Sequence, residues 1–93
     1  MSFKTRYDFE SLVNESERLV IEELERQLVE TETRYSENAI LDMAAYALNH
    51  VQPMYRANLL GRLYASALES EAGPAVRKAV SDAIKKVSQN PPE

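Results

Sequence analysis

Ser36-Glu37-Asn38-Ala39-Ile40-Leu41-Asp42-Met43-Ala44-Ala45-Tyr46-Ala47-Leu48-Asn49-His50-Val51-Gln52-Pro53 is the stretch that decides the fold class. Ala39, Ile40, Met43, Ala44, Ala47, Leu48 and Val51 recur at three- and four-residue intervals, the spacing of one helical face. Ser36 is a good N-cap, and Glu37 in the first turn complements the positive end of the helix dipole. Pro53 disfavours helical geometry at the residue before it, so the helix must end upstream of that point. Small residues at 39, 44, 45 and 47 permit close approach of a second helix.

The same periodicity extends in both directions. Upstream, Asp8 can cap a helix over about residues 9–30, with Phe9, Leu12, Val13, Leu19, Val20, Leu24 and Leu28 on its inner face. Downstream, Leu59, Leu60, Leu63, Tyr64, Ala67 and Leu68 fit a third helix from Tyr55 to Ser70. Gly73-Pro74 is then expected to interrupt the chain, with the proline at the first position of a fourth helix near 74–88. That helix turns Val76, Val80, Ile84 and Val87 inward and Lys78, Lys85 and Lys86 to solvent, and Asn90-Pro91-Pro92 stops it. The expectation is an all-α fold of about four helices in a single domain over residues 1–93, with short flexible ends at about 1–7 and 90–93.

Composition agrees. Hydrophobic residues make up 44% of the 93 positions and charged residues 28%, close to globular averages, while two glycines and four prolines leave little turn chemistry for hairpins. A chain of this size buries only about 60–65% of its unfolded surface, so an additional buried face would help it. That argument, with the leucines at 59, 60, 63 and 68, leads us to expect a two-fold homodimer.

The absence of cysteine excludes disulfides, thiolate zinc sites and cysteine nucleophiles, and a single histidine leaves few nitrogen ligands for a metal. No metal or cofactor is expected to be needed for folding. There is no Gly-rich phosphate loop, no His-Glu-x-x-His and no assignable Ser/His/Asp set, so the chain is not expected to be an enzyme. No apolar run is long enough to span a bilayer, and residues 1–6 lack a signal-peptide core; no membrane association and a cytoplasmic location are expected. The net charge of −4 is uneven: five basic against eleven acidic residues up to Ala45, six against four from Tyr46 on. The second half is too weakly cationic for direct binding of a nucleic-acid polymer, yet it permits a local anion site.

Tyr46-Ala47-Leu48-Asn49-His50-Val51-Gln52-Pro53-Met54-Tyr55 resembles the hallmark of the late-competence ComFB family, in which Ala-Leu-Asn closes a helix and a proline and then a tyrosine follow. Asn14-Glu15-Ser16-Glu17 with Val20 and Glu23 is similar to that family's first-helix pattern, and Val80 to Pro91 to its closing helix. The resemblance spans about residues 12–91 and is most specific in the centre. It implies a small helical homodimer. It also implies a role as a receptor for cyclic di-GMP, the property of cyanobacterial members; the zinc of the Gram-positive branch does not carry over to a chain without cysteines. Gln52 stands where many members have a second proline, and His50-Val51 where Arg-Leu is common.

Together these readings set the functional expectation: a cytoplasmic receptor of the ComFB family for cyclic di-GMP, with cyclic di-AMP as the second choice. It would relay the second-messenger signal to an unidentified downstream protein in competence, motility or cell-surface regulation. The alternative is a ligand-independent helical adaptor or structural dimer that binds a protein partner. The ligand-binding candidates are Asn49, Tyr55, Arg56 and Arg62, with Tyr46 and Pro53 as structural members of the motif. Tyr55 supplies a stacking surface, and the arginine forks suit guanine O6 and N7 and phosphodiester oxygens. Read apart from the family, the structural reading comes first: Asn49 is a C-cap, Pro53 a stop signal, Tyr46 and Tyr55 core residues with a satisfied hydroxyl, and His50 a surface or helix-end residue.

Overall fold

In the computed structural model, residues 2–29, 31–56 and 59–90 are described, with side chains for 2–29, 31–55 and 70–90. A single helical turn, α1 (Phe3–Arg6), leads into a 3-10 turn at Phe9–Ser11 and a two-residue strand, β1 (Val13–Asn14). Helices α2 (Glu15–Leu28) and α3 (Glu37–Leu48) follow, then a second short strand, β2 (Tyr55–Arg56), and a long closing helix, α4 (Leu59–Gln89). The fold is therefore helical, as expected, apart from one antiparallel ribbon that pairs Val13 with Arg56 and Asn14 with Tyr55.

α3 forms where the sequence placed it. The Ser36 side chain accepts a hydrogen bond from the Ala39 N–H, and Asn49 closes the helix with its own N–H bonded to the Ala45 carbonyl at 3.0 Å. Its buried face is Ala39, Met43 and Ala47, an i, i+4, i+8 row narrow enough for close helix approach. That row meets Val20 and Leu24 of α2 and Val76, Ala79, Val80, Ala83 and Val87 of α4 in one continuous core. Each fully buried valine in that core contributes about 1.5–3 kcal/mol by leaving water. Among the described residues, polar ties reach α4 from Tyr35, just ahead of α3, whose Oη lies 2.9 Å from Ser88 Oγ, and from α2, where Gln27 Nε2 donates to the Arg77 carbonyl at 3.1 Å.

Three expectations are corrected. The first long helix begins at Glu15 and not near residue 9: Asp8 caps only the 3-10 turn, accepting from the Glu10 N–H, and Asn14 caps α2, accepting from the Ser16 N–H. Phe9, Leu12 and Val13 are accordingly exposed and do not belong to the core. Tyr55 and Arg56 do not open a helix, because pairing with Asn14 and Val13 holds them extended. Finally, α4 runs through Gly73 and Pro74 without a break. A proline there supplies no N–H to the carbonyl four residues back, at Ser70, and costs about 3 kcal/mol in an isolated helix. On its C-terminal side the row Val76, Ala79, Val80, Ala83 and Val87 packs into the core.

Candidate functional site

The turn between α3 and β2 is built from its backbone upward. After Asn49, the His50 N–H bonds the Ala47 carbonyl at 3.0 Å, and Pro53 then forces Gln52 toward extended geometry. The exposed turn is fixed from beneath by the start of α2. Ser16 Oγ donates to the Gln52 carbonyl at 2.6 Å, the Glu15 N–H donates to the Met54 carbonyl at 2.7 Å, and Asn14 Oδ1 accepts from the Met54 N–H at 2.8 Å. One asparagine oxygen thus caps α2 and holds the turn. Ser16 is 1% exposed and Glu15 5%, so these bonds are made out of water, where an unmade partner is costly. Arg18 reaches back and donates to Glu15 through Nε and Nη2 at 3.1 and 2.9 Å; that hydrogen bond to the Glu15 carboxylate is the main reason its guanidinium is held above its ordinary pKa.

Between this turn and α4 lies an open cleft of about 660 Å³. His50, Pro53, Met54 and Tyr55 form its turn wall, and Glu71, Ala72, Ala75 and Val76 its helix wall. Residues 71, 72, 75 and 76 fall on one helical face, and the two alanines keep it shallow and flat. The Tyr55 ring stands 62% exposed at this site. A smaller cleft of about 230 Å³ beside Leu19, Val76 and Arg77 is less suited to a ligand, because its carboxylates, Glu22 and Glu23, are already paired with Arg18 and Arg26. There Arg26 and Gln27 both donate to the Glu23 carboxylate, and the Arg26 bond is the first cause holding that carboxyl below its usual range.

The family of the late competence development protein ComFB matches residues 13–91. The chain belongs to the ComFB family. The ComFB match starts at Val13, the first residue of β1, so the ribbon, the turn and both walls of the larger cleft fall within it. A comparison with curated proteins gives no match.

Within the ComFB hallmark, the structure brings Pro53 and Tyr55 to the cleft and leaves Asn49 and Tyr46 behind it. Asn49 is exposed at the C-cap of α3. Tyr46, half-buried, stacks on His50 with ring centroids 4.2 Å apart and planes 18° from parallel. His50 Nδ1 lies 2.7 Å from the Tyr46 carbonyl, which can only accept, so Nδ1 carries a proton. His50 is thus the helix-end residue its position suggested, while Tyr55 is no core residue. Arg56 has its backbone in β2, and Arg62 lies in the first half of α4; both side chains lie outside the described residues. Sequence reading missed Asn14, Ser16 and Glu71 as members of the site. Among the described residues, no group of three or more acidic or histidine side chains could hold a metal ion, and no helix is long and apolar enough to cross a membrane.

Proposed function

We propose that this ComFB-family chain is a receptor for a cyclic dinucleotide, cyclic di-GMP before cyclic di-AMP, that relays the signal to a protein partner and catalyses no reaction. The observation that carries this reading is the exposed Tyr55 ring in the wall of an open cleft that the family's hallmark stretch forms with α4. A volume of about 660 Å³ falls in the range of small-molecule sites. An exposed aromatic face in such a cleft suits a purine, since stacking a base on an aromatic side chain is worth about 1–3 kcal/mol. Arg56, next to Tyr55 in the chain, and Arg62 supply forks for phosphodiester oxygens and guanine edges. Asn49 serves the site by closing the helix that delivers the turn.

Calorimetric titration of cyclic di-GMP and cyclic di-AMP tests the reading. Tyr55→Ala, Arg56→Ala and Arg62→Ala should each weaken binding by about 1–3 kcal/mol and leave the apo melting temperature nearly unchanged. Wild-type binding that all three variants match would refute the placement of the site. No binding of any cyclic dinucleotide by the wild type would remove the receptor reading.

A second reading, a ligand-independent adaptor, is favoured by one observation. Phe3, Tyr7, Phe9 and Leu12 are exposed, and the three rings meet edge-on at centroid distances of 5.1 and 6.5 Å. Such a patch is suited to a protein surface. Both readings include a two-fold homodimer, which matches a two-fold ligand with one molecule on the axis or with equivalent sites on each subunit. Light scattering at micromolar concentration should give twice the chain mass of 10.6 kDa; the single-chain mass would reject the dimer.

A further inference from the structure

We infer that Glu71 is the residue that makes this cleft select guanine over adenine, an inference that rests on the cyclic-dinucleotide reading. Glu71 is the one carboxylate among the described residues lining the cleft, and it is exposed to it from the first turn of the helix wall. The neighbours that share its face, Ala72 and Ala75, end in methyl groups, so a flat base laid along this wall meets no other polar side chain among the described residues lining it. Purines differ at the edge that would reach Glu71. Guanine presents two donors side by side, N1–H and the 2-amino group. Adenine presents the N1 lone pair beside its 6-amino group. A carboxylate has two acceptor oxygens and no donor, so it pairs with both guanine donors and faces the adenine lone pair with like charge.

The sign of the charge supports the same assignment. A carboxylate in a site for an anionic ligand repels the phosphodiesters, and it is tolerated where it meets a base edge instead. The ligand is then oriented with a base toward Glu71 and its phosphates away from it. Tyr55, on the other wall, is blind to base identity, because every base has a stacking face. Stacking therefore supplies affinity, and Glu71 supplies the choice at the N1 and 2-amino edge, which an arginine fork on O6 and N7 does not read.

The test is a titration of wild type, Glu71→Ala and Glu71→Gln with cyclic di-GMP, cyclic di-AMP and cyclic di-IMP, which keeps N1–H and lacks the 2-amino group. Helix content and melting curves of each variant serve as folding controls, and alanine is at least as good a helix former as glutamate. Wild type should prefer cyclic di-GMP to cyclic di-IMP by about tenfold and to cyclic di-AMP by more, the scale of one and two lost charge-assisted bonds. Glu71→Ala should lose about ten- to a hundredfold for cyclic di-GMP and bind cyclic di-AMP as well as or better than wild type, so that the preference collapses; Glu71→Gln should fall between. If wild type binds and Glu71→Ala keeps the wild-type preference, or if wild type prefers cyclic di-AMP, the role of Glu71 is overturned and the receptor reading stands. If wild type binds none of the three, both fall together.

Discussion

Met43→Ala lowers the stability of the fold by about 2–5 kcal/mol, the range for truncating a buried large aliphatic side chain. Met43 is 0% exposed and sits at the middle of the α3 row, with Ala39 and Ala47 one turn to either side. Those small neighbours cannot swing into the vacated volume, which places the loss toward the upper part of the range. Val20 of α2 and Val80 of α4, also at 0%, belong to the same core, so the void would lie where all three long helices meet. For a domain of this length, the shift in melting temperature should be about 10 °C or more. Leu41→Ala on the same helix is the control. Leu41 is 57% exposed, and its loss should stay within about 0.5 kcal/mol. Urea unfolding followed by circular dichroism compares the two; equal losses would show that α3 does not bury the face described here.

The contrast between these two residues also explains what a sequence can disclose. α3 was readable because its apolar positions, its cap at Ser36 and its stop before Pro53 all agree, and local rules that agree fix both ends of a helix. The start of α2 was not, because Phe9, Leu12 and Val13 happen to continue the helical spacing of Leu19, Val20 and Leu24. A signal was present: Asn14 followed by Glu17 has the form of a capping box, and it marks the helix start where the structure has it. Pro74 misled in the other direction. Its preference for a first helical turn is a local rule, and the helix runs through it from Leu59 to Gln89 all the same.

The candidate site divides in the same way. Pro53 and Tyr55 stand in one short motif and could be found together. Ser16 and Gln52 are 36 residues apart, and nothing in either neighbourhood announces a hydrogen bond between them. Glu71 lies in no motif at all, and it joins the cleft only because α4 carries on past the expected break and packs beside the turn. The exposure of Tyr55 likewise depends on a strand pairing of two residues, too short to leave a periodic trace.

Asn14→Ala should cost about 2–4 kcal/mol and weaken the cleft as well as the fold. Two donors converge on its Oδ1, the Ser16 N–H at 3.1 Å and the Met54 N–H at 2.8 Å. Loss of the first removes the N-cap of α2, typically about 1 kcal/mol. Loss of the second leaves a half-buried backbone donor without its partner, for about 1–3 kcal/mol more. Because Met54 and Tyr55 form part of the turn wall, release of that bond also loosens the surface on which a base would stack. Asn14→Asp keeps an acceptor oxygen at the same place and adds a negative charge at the positive end of the helix dipole, so it should recover most of the stability. Thermal and urea unfolding of both variants, with dinucleotide titration of each, separates the two effects. A loss below about 0.5 kcal/mol for Asn14→Ala would mean that the turn holds its shape without this residue. Full stability in Asn14→Asp, accompanied by recovered binding, would place the work of Asn14 in its oxygen alone.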